Sequence, residues 1–113
     1  MSLVKSFGYA FRGFTAAVRE QRNLKIHLGV ALLVTALGFW FDVSAVDWCI
    51  LVIMIGLVIA AELINTALEN LTDLVTQEFH PLAGKVKDIA AASVLVLSII
   101  SVIVGFIVFY KYV

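Results

Sequence analysis

The sequence predicts an all-α integral membrane protein, in which an N-terminal amphipathic surface helix precedes three transmembrane helices. The 113 residues are 63% hydrophobic and only 14% charged, and their mean hydropathy of +1.08 lies well above the range of soluble domains. Three apolar runs approach the length that is needed to cross a hydrocarbon core of about 30 Å. We therefore expect one membrane-embedded domain.

The N-terminal segment, residues 3–25, has the periodicity of a helix that lies on the membrane surface. Large apolar residues recur at spacings of three and four, namely Leu3, Phe7, Phe11, Phe14 and Val18. Basic residues occupy other positions of the segment, namely Lys5, Arg12, Arg19, Arg22 and Lys25. We expect no cleavable signal peptide, because the first long apolar run begins only near Leu28.

Three transmembrane helices are predicted at 26–41, 45–75 and 89–110. The second is longer than a bilayer requires, so we expect its end to extend into the cytoplasm. Residues 76–88 contain the single proline and several charges, which indicates a loop.

Charge distribution predicts the orientation and excludes some functions. The formal net charge is zero, and the basic residues flank the apolar runs as in proteins that contact a membrane surface, so no nucleic-acid partner is expected. All of them except Lys111 precede the first span or follow the second, which predicts a cytoplasmic N-terminus by the positive-inside rule. A lone cysteine, Cys49, cannot form a disulfide within one chain.

A polar stripe interrupts the apolar pattern at the end of the second span. Glu62, Asn65, Glu69 and Asp73 share one face of a continuous helix. Each ionised carboxylate would cost about 2.5–3.5 kcal/mol at the centre of a bilayer, so the stripe should face protein or water. A solvated helix extension is the alternative reading, above all for Asp73.

The two glutamates of the stripe are too far apart for one metal ion. Seven residues of helix separate their Cα atoms by about 10.5 Å. Glu69, which is nearer the basic loop, could hold a hard divalent cation. Glu62 could accept a proton from a hydroxyl within the membrane.

Other polar residues give weaker signals. Lys87 and Asp88 precede the third span, where they could contact phosphate or simply snorkel and cap the helix. His27 and His80 lack a histidine, cysteine or acid at metal-ligand spacing, and His27 is read as an interfacial residue. Gly84 and Lys85 do not complete a phosphate-binding loop, since Val86 follows and the upstream glycine is missing.

Three segments together resemble the prokaryotic diacylglycerol kinase family, which includes the undecaprenol kinases. They are ELINTALENLTD (62–73), HPLAGKVKD (80–88) and AAAS (90–93), and the resemblance extends back through SFGYAFRG (6–13) and QRNLKIH (21–27). It implies a small homotrimeric enzyme of the bacterial inner membrane. Such enzymes transfer the γ-phosphoryl group of ATP, with Mg²⁺, to a lipid hydroxyl.

The resemblance assigns the family's site residues to the positions of this chain at which the motifs match. By this resemblance, Glu62 matches the position of the family's general base and Asn65 that of a polar group of the active site. Glu69 matches the position of a residue that binds metal and nucleotide. The resemblance implies nucleotide contacts for six further residues, namely Tyr9, Glu78, Phe79, His80, Lys87 and Asp88.

One position of the predicted metal site departs from the family pattern. Much of the family has a glutamate where this chain has Gln21, with Glu20 one residue earlier. Either the Gln21 amide oxygen ligates the metal and the nucleotide complex, or Glu20 substitutes through a shifted turn, or water fills the position.

We therefore predict a lipid kinase that acts on diacylglycerol or undecaprenol, with Mg²⁺ as cofactor and ATP, lipid and copies of itself as partners. The alternative is a subunit of an ion- or proton-coupled transporter, because acids inside a membrane also mark proton relays. A structural oligomerisation module is the third reading, and it leaves the acidic stripe unexplained.

Overall fold

The computed structural model describes residues 2–113, which form four α-helices and, within that range, no β-strand. They are α1 (Leu3–Glu20), α2 (Arg22–Trp40), α3 (Ala45–Val75) and α4 (Pro81–Tyr110). The last three are long and apolar enough to cross a membrane. The predicted all-α class with an N-terminal helix and three candidate spans is thus confirmed.

Helix α1 ends five residues earlier than predicted. Ser2 caps its start by accepting a hydrogen bond from the Lys5 N–H, and Gln21 then adopts an extended conformation (φ −111°, ψ 112°) that both ends α1 and begins α2. No glycine or proline marks this break. A break here agrees with the predicted roles of the two helices, because an amphipathic surface helix and an apolar spanning helix cannot share one axis.

The turn between α2 and α3 packs closely. Asp42 takes a left-handed conformation (φ 52°), which an aspartate tolerates better than most residues. Ser44 caps α3 by accepting from the Asp47 N–H. Gly38 lies directly against the Trp48 ring, and a Cβ there would come within 2.5 Å of a ring carbon.

The predicted loop at 76–88 is wrong in its second half, because α4 begins at Pro81 rather than at residue 89. Proline at the first helical position needs no N–H and already has a helical φ. The His80 side chain caps the helix, its Nδ1 accepting from the Leu82 N–H at 3.1 Å. The connection is therefore only 76–80, and Lys87 and Asp88 lie inside a helix.

The helices form a flat assembly whose Cα extents are 51 × 38 × 20 Å. α3 contacts each of the other three helices. We call the end that carries residues 76–80 the loop end, and the end that carries residues 41–44 the turn end. Many large apolar side chains of α2, α3 and α4 stay exposed in the single chain, as expected of surfaces that face lipid or another copy.

The C-terminal residues fasten the turn end. Lys111 Nζ lies 3.0 Å from an Asp47 carboxylate oxygen, and the Tyr112 hydroxyl donates to the other oxygen while accepting from the Ser44 N–H. The hydrogen bond to Asp47, above all, holds the pKa of Lys111 above its usual value. This contribution to stability is therefore present at neutral pH and is lost only in strongly alkaline solution.

Candidate active site

The polar stripe of α3 is buried where it meets the neighbouring helices. Glu62 is 1% exposed, Asn65 5% and Thr66 4%. The Thr66 hydroxyl donates to the Glu62 backbone carbonyl at 2.9 Å, so it is satisfied within the helix. The stripe therefore faces protein at the end that carries Glu62, which we call its deep end. Only the end that carries Asp73, its shallow end, reaches solvent.

Glu62 has an unusual environment for a carboxylate. Neither of its oxygens has a hydrogen-bond partner among the described residues. The nearest basic group is His27 of α2, whose Nε2 lies 3.6 Å from Glu62 Oε2 and whose side chain is 21% exposed. A buried carboxylate without hydrogen bonds is costly, which points to a group kept for chemistry rather than for stability.

Glu69 is held by two amides, one from each side. Gln21 Nε2 donates to Glu69 Oε2 at 3.2 Å, and Asn65 Nδ2 donates to Glu69 Oε1 at 3.1 Å. Asn65 Oδ1 is buried and has no partner among the described residues. The extended backbone at Gln21 is what brings its side chain from the α1–α2 junction to α3.

The shallow end of the stripe carries two further contacts. Lys87 of α4 lies 2.6 Å from Asp73, with both side chains substantially exposed, so the pair adds little stability by itself. Glu20 accepts a hydrogen bond from Asn70 at 3.2 Å. The three acids of the stripe therefore meet three different parts of the chain: α2, the α1–α2 junction and α4.

The residues matched to nucleotide contacts do not converge in the single chain. Tyr9 is half exposed on α1 and stacks with Arg12 at 4.8 Å. Phe79 is 95% exposed, Glu78 and Asp88 are exposed, and His80 caps α4. All except Tyr9 lie near the loop end, on the same side of the molecule as Glu69.

An apolar cavity of roughly 370 Å³ lies between α2, α3 and α4. His27 and Ser101 provide polar groups at the part nearer the loop end, and the cavity extends past Val34 and Leu51 to Phe109 at the turn end. A second cavity of roughly 460 Å³ between α3 and α4 includes His80 but is otherwise mainly apolar. Neither cavity is lined by a lysine or an arginine, the side chains that commonly bind a triphosphate.

The residues around Glu69 suit a hard cation only in part. Among residues 2–113 no three His, Cys, Asp or Glu side chains form a metal site. Glu69 with the amide oxygens of Gln21 and Asn65 would nevertheless present oxygen donors, and Mg²⁺ commonly takes one or two carboxylates and completes its shell with water and phosphate. The Gln21 amide needs only a half-turn about its last side-chain bond to present its oxygen instead of its NH₂ group. Glu20 is engaged with Asn70 instead.

Comparison with known proteins decides the family. The sequence profile of the prokaryotic diacylglycerol kinases matches residues 8–109. The chain belongs to this family. The resemblance noted from the motifs of α3 and α4 is thereby confirmed.

Relatives within the diacylglycerol kinase family differ in the substrate that they are named for. The undecaprenol kinase of Bacillus subtilis strain 168 is 41% identical over 93% of this chain and 85% of its own. The diacylglycerol kinase of Escherichia coli K12 is 32% identical over 89% and 83%, and that of Synechocystis PCC 6803 is 40% identical over 92% and 60%. The predicted class of enzyme, a lipid kinase that uses ATP, is confirmed, and the transporter reading is set aside.

Sequence reasoning missed His27 as a neighbour of Glu62. The spacing within one helix shows which residues share a face, but it does not show which residue of another helix lies opposite. The available signal was that His27 is the titratable residue placed farthest into α2, and such a group needs a partner when it enters the membrane.

Proposed function

We propose that this chain transfers the γ-phosphoryl group of Mg²⁺-bound ATP to the hydroxyl of a membrane lipid, with Glu62 as the general base. The observation that supports this most is the Glu62 carboxylate, 1% exposed and without a hydrogen-bond partner among the described residues. An acceptor-only group in that state is suited to bind the O–H of a substrate that arrives from the bilayer.

The residues of the stripe have different roles in the reaction. Glu62 accepts the hydroxyl proton as the lipid oxygen forms its bond to the γ-phosphorus, and the bond to the β-phosphate oxygen breaks with its electron pair leaving on ADP. Asn65 keeps the Glu69 carboxylate in place through its hydrogen bond. Positioning of this kind supplies most of the catalysis in phosphoryl transfer.

Glu69 and Gln21 would hold the magnesium ion and, through it, the nucleotide. The two residues are already in contact at 3.2 Å, and Asn65 leaves a buried oxygen without a partner beside them. Bound there, Mg²⁺ would neutralise charge on the β- and γ-phosphates. Gln21 contributes no charge, so this site relies on one carboxylate.

A homotrimer would complete the nucleotide site. The nucleotide candidates Tyr9, Glu78, Phe79, His80, Lys87 and Asp88 are dispersed in one chain, and apolar surface on all three spanning helices is left uncovered. Lys87 would contact phosphate after leaving Asp73, a surface pair that is weak enough to exchange. Native mass spectrometry in detergent tests the stoichiometry against the chain mass of 12.4 kDa.

Diacylglycerol and undecaprenol are the two candidate substrates, because they are the lipids for which the relatives are named. The apolar cavity beside His27 could take a hydrocarbon chain and leave its hydroxyl near Glu62. We place the enzyme in the bacterial cytoplasmic membrane with its N-terminus and loop end in the cytoplasm, which is where ATP is found.

A radiolabelled-phosphate assay with purified protein, γ-labelled ATP and a panel of diacylglycerol, undecaprenol and ceramide tests this function. Labelled lipid phosphate is expected from one of the first two, and Glu62→Gln should lower kcat by about 10²–10⁴-fold. Asp42→Asn is the matched control, since it removes an exposed acid at the turn end. Wild-type turnover by Glu62→Gln would remove the base assignment, and ion flux without ATP consumption would favour a transporter.

A further inference from the structure

The contact between α2 and α3 at the deep end of the stripe takes no part in the transfer of the phosphoryl group itself. His27 points Nε2 at Glu62 Oε2 from 3.6 Å, slightly beyond hydrogen-bond range. Glu62 is almost completely buried, whereas the His27 side chain keeps 21% of its surface exposed. The histidine thus connects a carboxylate without hydrogen bonds to the outside of the protein.

Glu62 needs such a connection if it acts as a base. Once it has taken a proton from the lipid hydroxyl, the proton must leave before the next turnover. The buried carboxyl has no water-exposed surface through which to release it, and no described group donates to or accepts from either of its oxygens. Thr66, the hydroxyl closest in sequence, already donates to a backbone carbonyl.

We propose that His27 is a positioning residue that receives the proton from Glu62 and, while it holds that proton, orients the Glu62 carboxylate. This rests on the proposed role of Glu62 as the base. A neutral imidazole with its hydrogen on Nδ1 has a free lone pair on Nε2 that can take the proton, and the imidazolium so formed has an N–H on Nε2 that faces the Glu62 carboxylate. The proton moves from the lipid oxygen to Glu62 and from Glu62 to Nε2, and the imidazolium then releases a proton before the next turnover.

The surroundings of His27 leave Glu62 as its partner. On α2 the nearest charged residues are Lys25 and Arg22, both exposed. The part of α4 that lines the same cavity supplies Ser101 and apolar residues, with no titratable group. From α1, Glu20 is engaged with Asn70. Among the described residues, Glu62 is the only acid within 4.0 Å of the imidazole.

Two substitutions separate orientation from proton uptake. His27→Gln keeps a side-chain N–H donor of similar reach but cannot take up a proton, whereas His27→Ala removes both functions and opens space beside the cavity. We expect His27→Gln to lower kcat by about tenfold to a hundredfold, the range found for residues that orient a metal ligand, with less than about a threefold change in the KM for Mg²⁺-ATP. Free imidazole should restore part of the turnover of His27→Ala.

The decisive measurement is a double-mutant cycle. If His27 acts through Glu62, adding His27→Gln to Glu62→Gln lowers kcat no further, because both changes disable one unit. Lys25→Gln, on the same helix and exposed, is the control and should keep wild-type turnover. Thermal melting of every variant in detergent confirms that each is folded before its kinetics are compared.

The outcomes distinguish this proposal from the one that it rests on. Wild-type kcat in His27→Gln, or an equal loss on the wild-type and Glu62→Gln backgrounds, would overturn the role of His27 and leave the base assignment intact. Full turnover in Glu62→Gln alone would overturn the base assignment itself. A loss confined to the wild-type background, with rescue of His27→Ala by imidazole, supports both.

Discussion

Gln21 has two tasks at once. Its extended backbone ends α1 and begins α2, and its side chain donates to Glu69. The second contact depends on the first, because a continuous helix through this position would give the residue a different direction. The chemistry of the predicted metal site therefore depends on the break between α1 and α2.

Magnesium dependence should respond to charge at Gln21 and Glu69. Gln21→Glu places a second carboxylate beside Glu69, so we expect the Mg²⁺ concentration for half-maximal activity to fall by about tenfold, since carboxylate count tunes affinity. Glu69→Gln should raise it by at least about tenfold. Thermal melting against Mg²⁺ provides a readout that does not depend on turnover.

Asp42→Asn is again the control for these titrations, because it removes one negative charge, as Glu69→Gln does, at the opposite end of the molecule. Magnesium curves that coincide for wild type, Gln21→Glu and Glu69→Gln would show that this pair does not bind the cation.

The face of α3 that carries the polar residues could be predicted from their spacing, because helix periodicity fixes which side chains lie together. Their partners could not be predicted. The contacts of Glu62 with His27 and of Asp73 with Lys87 depend on how two helices are rotated against each other. That rotation is set by packing along their whole length, which no local pattern contains.

At the scale of the helices, capping residues determine where α1, α3 and α4 begin. α4 begins at Pro81 because proline and the His80 cap initiate a helix, although the same proline among charged residues resembles a loop in sequence. The apolar interiors of α2 to α4 were easy to predict because their composition leaves no other state in a bilayer. The break at Gln21 has no sequence signal of its own.

The close approach of Gly38 to Trp48 makes a sharp prediction for the pairing of α2 with α3. In Gly38→Ala the added methyl group would clash with the Trp48 indole ring, since its Cβ would lie 2.5 Å from a ring carbon. We expect a loss of about 1–3 kcal/mol in stability, typical of overpacking. Thermal melting in detergent measures it.

Gly29→Ala in the same helix is the matched control, because its Cβ would meet nothing within 4 Å. It should be neutral or stabilising, since alanine is the better helix former. Equal melting temperatures for the two variants would show that Gly38 and Trp48 are not in contact.

For the molecule as a whole, the two ends differ sharply in their number of basic residues. Basic residues concentrate at the loop end and along α1, and Lys111 alone lies at the turn end, paired with Asp47. The polar stripe approaches solvent at the same basic end. A site that brings ATP to a lipid hydroxyl needs this asymmetry, because the two substrates arrive from different phases.

Orientation in the membrane can be tested with single cysteines in a Cys49→Ser background. An impermeant thiol reagent should label Val113→Cys in intact cells and Ser2→Cys only after the membrane is permeabilised, since the positive-inside rule predicts a cytoplasmic location for the basic end. The parent Cys49→Ser protein, which has no thiol, controls for background. Labelling of Ser2→Cys in intact cells would reverse the assignment.

The arrangement of three acids on α3, each facing a different part of the chain, also limits how this gene can change in length. One residue inserted between Glu62 and Glu69 would turn everything beyond it by about 100° and move Glu69 off Gln21 and Asp73 off Lys87 together. Inserting seven residues would nearly restore the angle but would displace them by about 10.5 Å. Insertions and deletions should therefore be excluded from the twelve-residue segment 62–73.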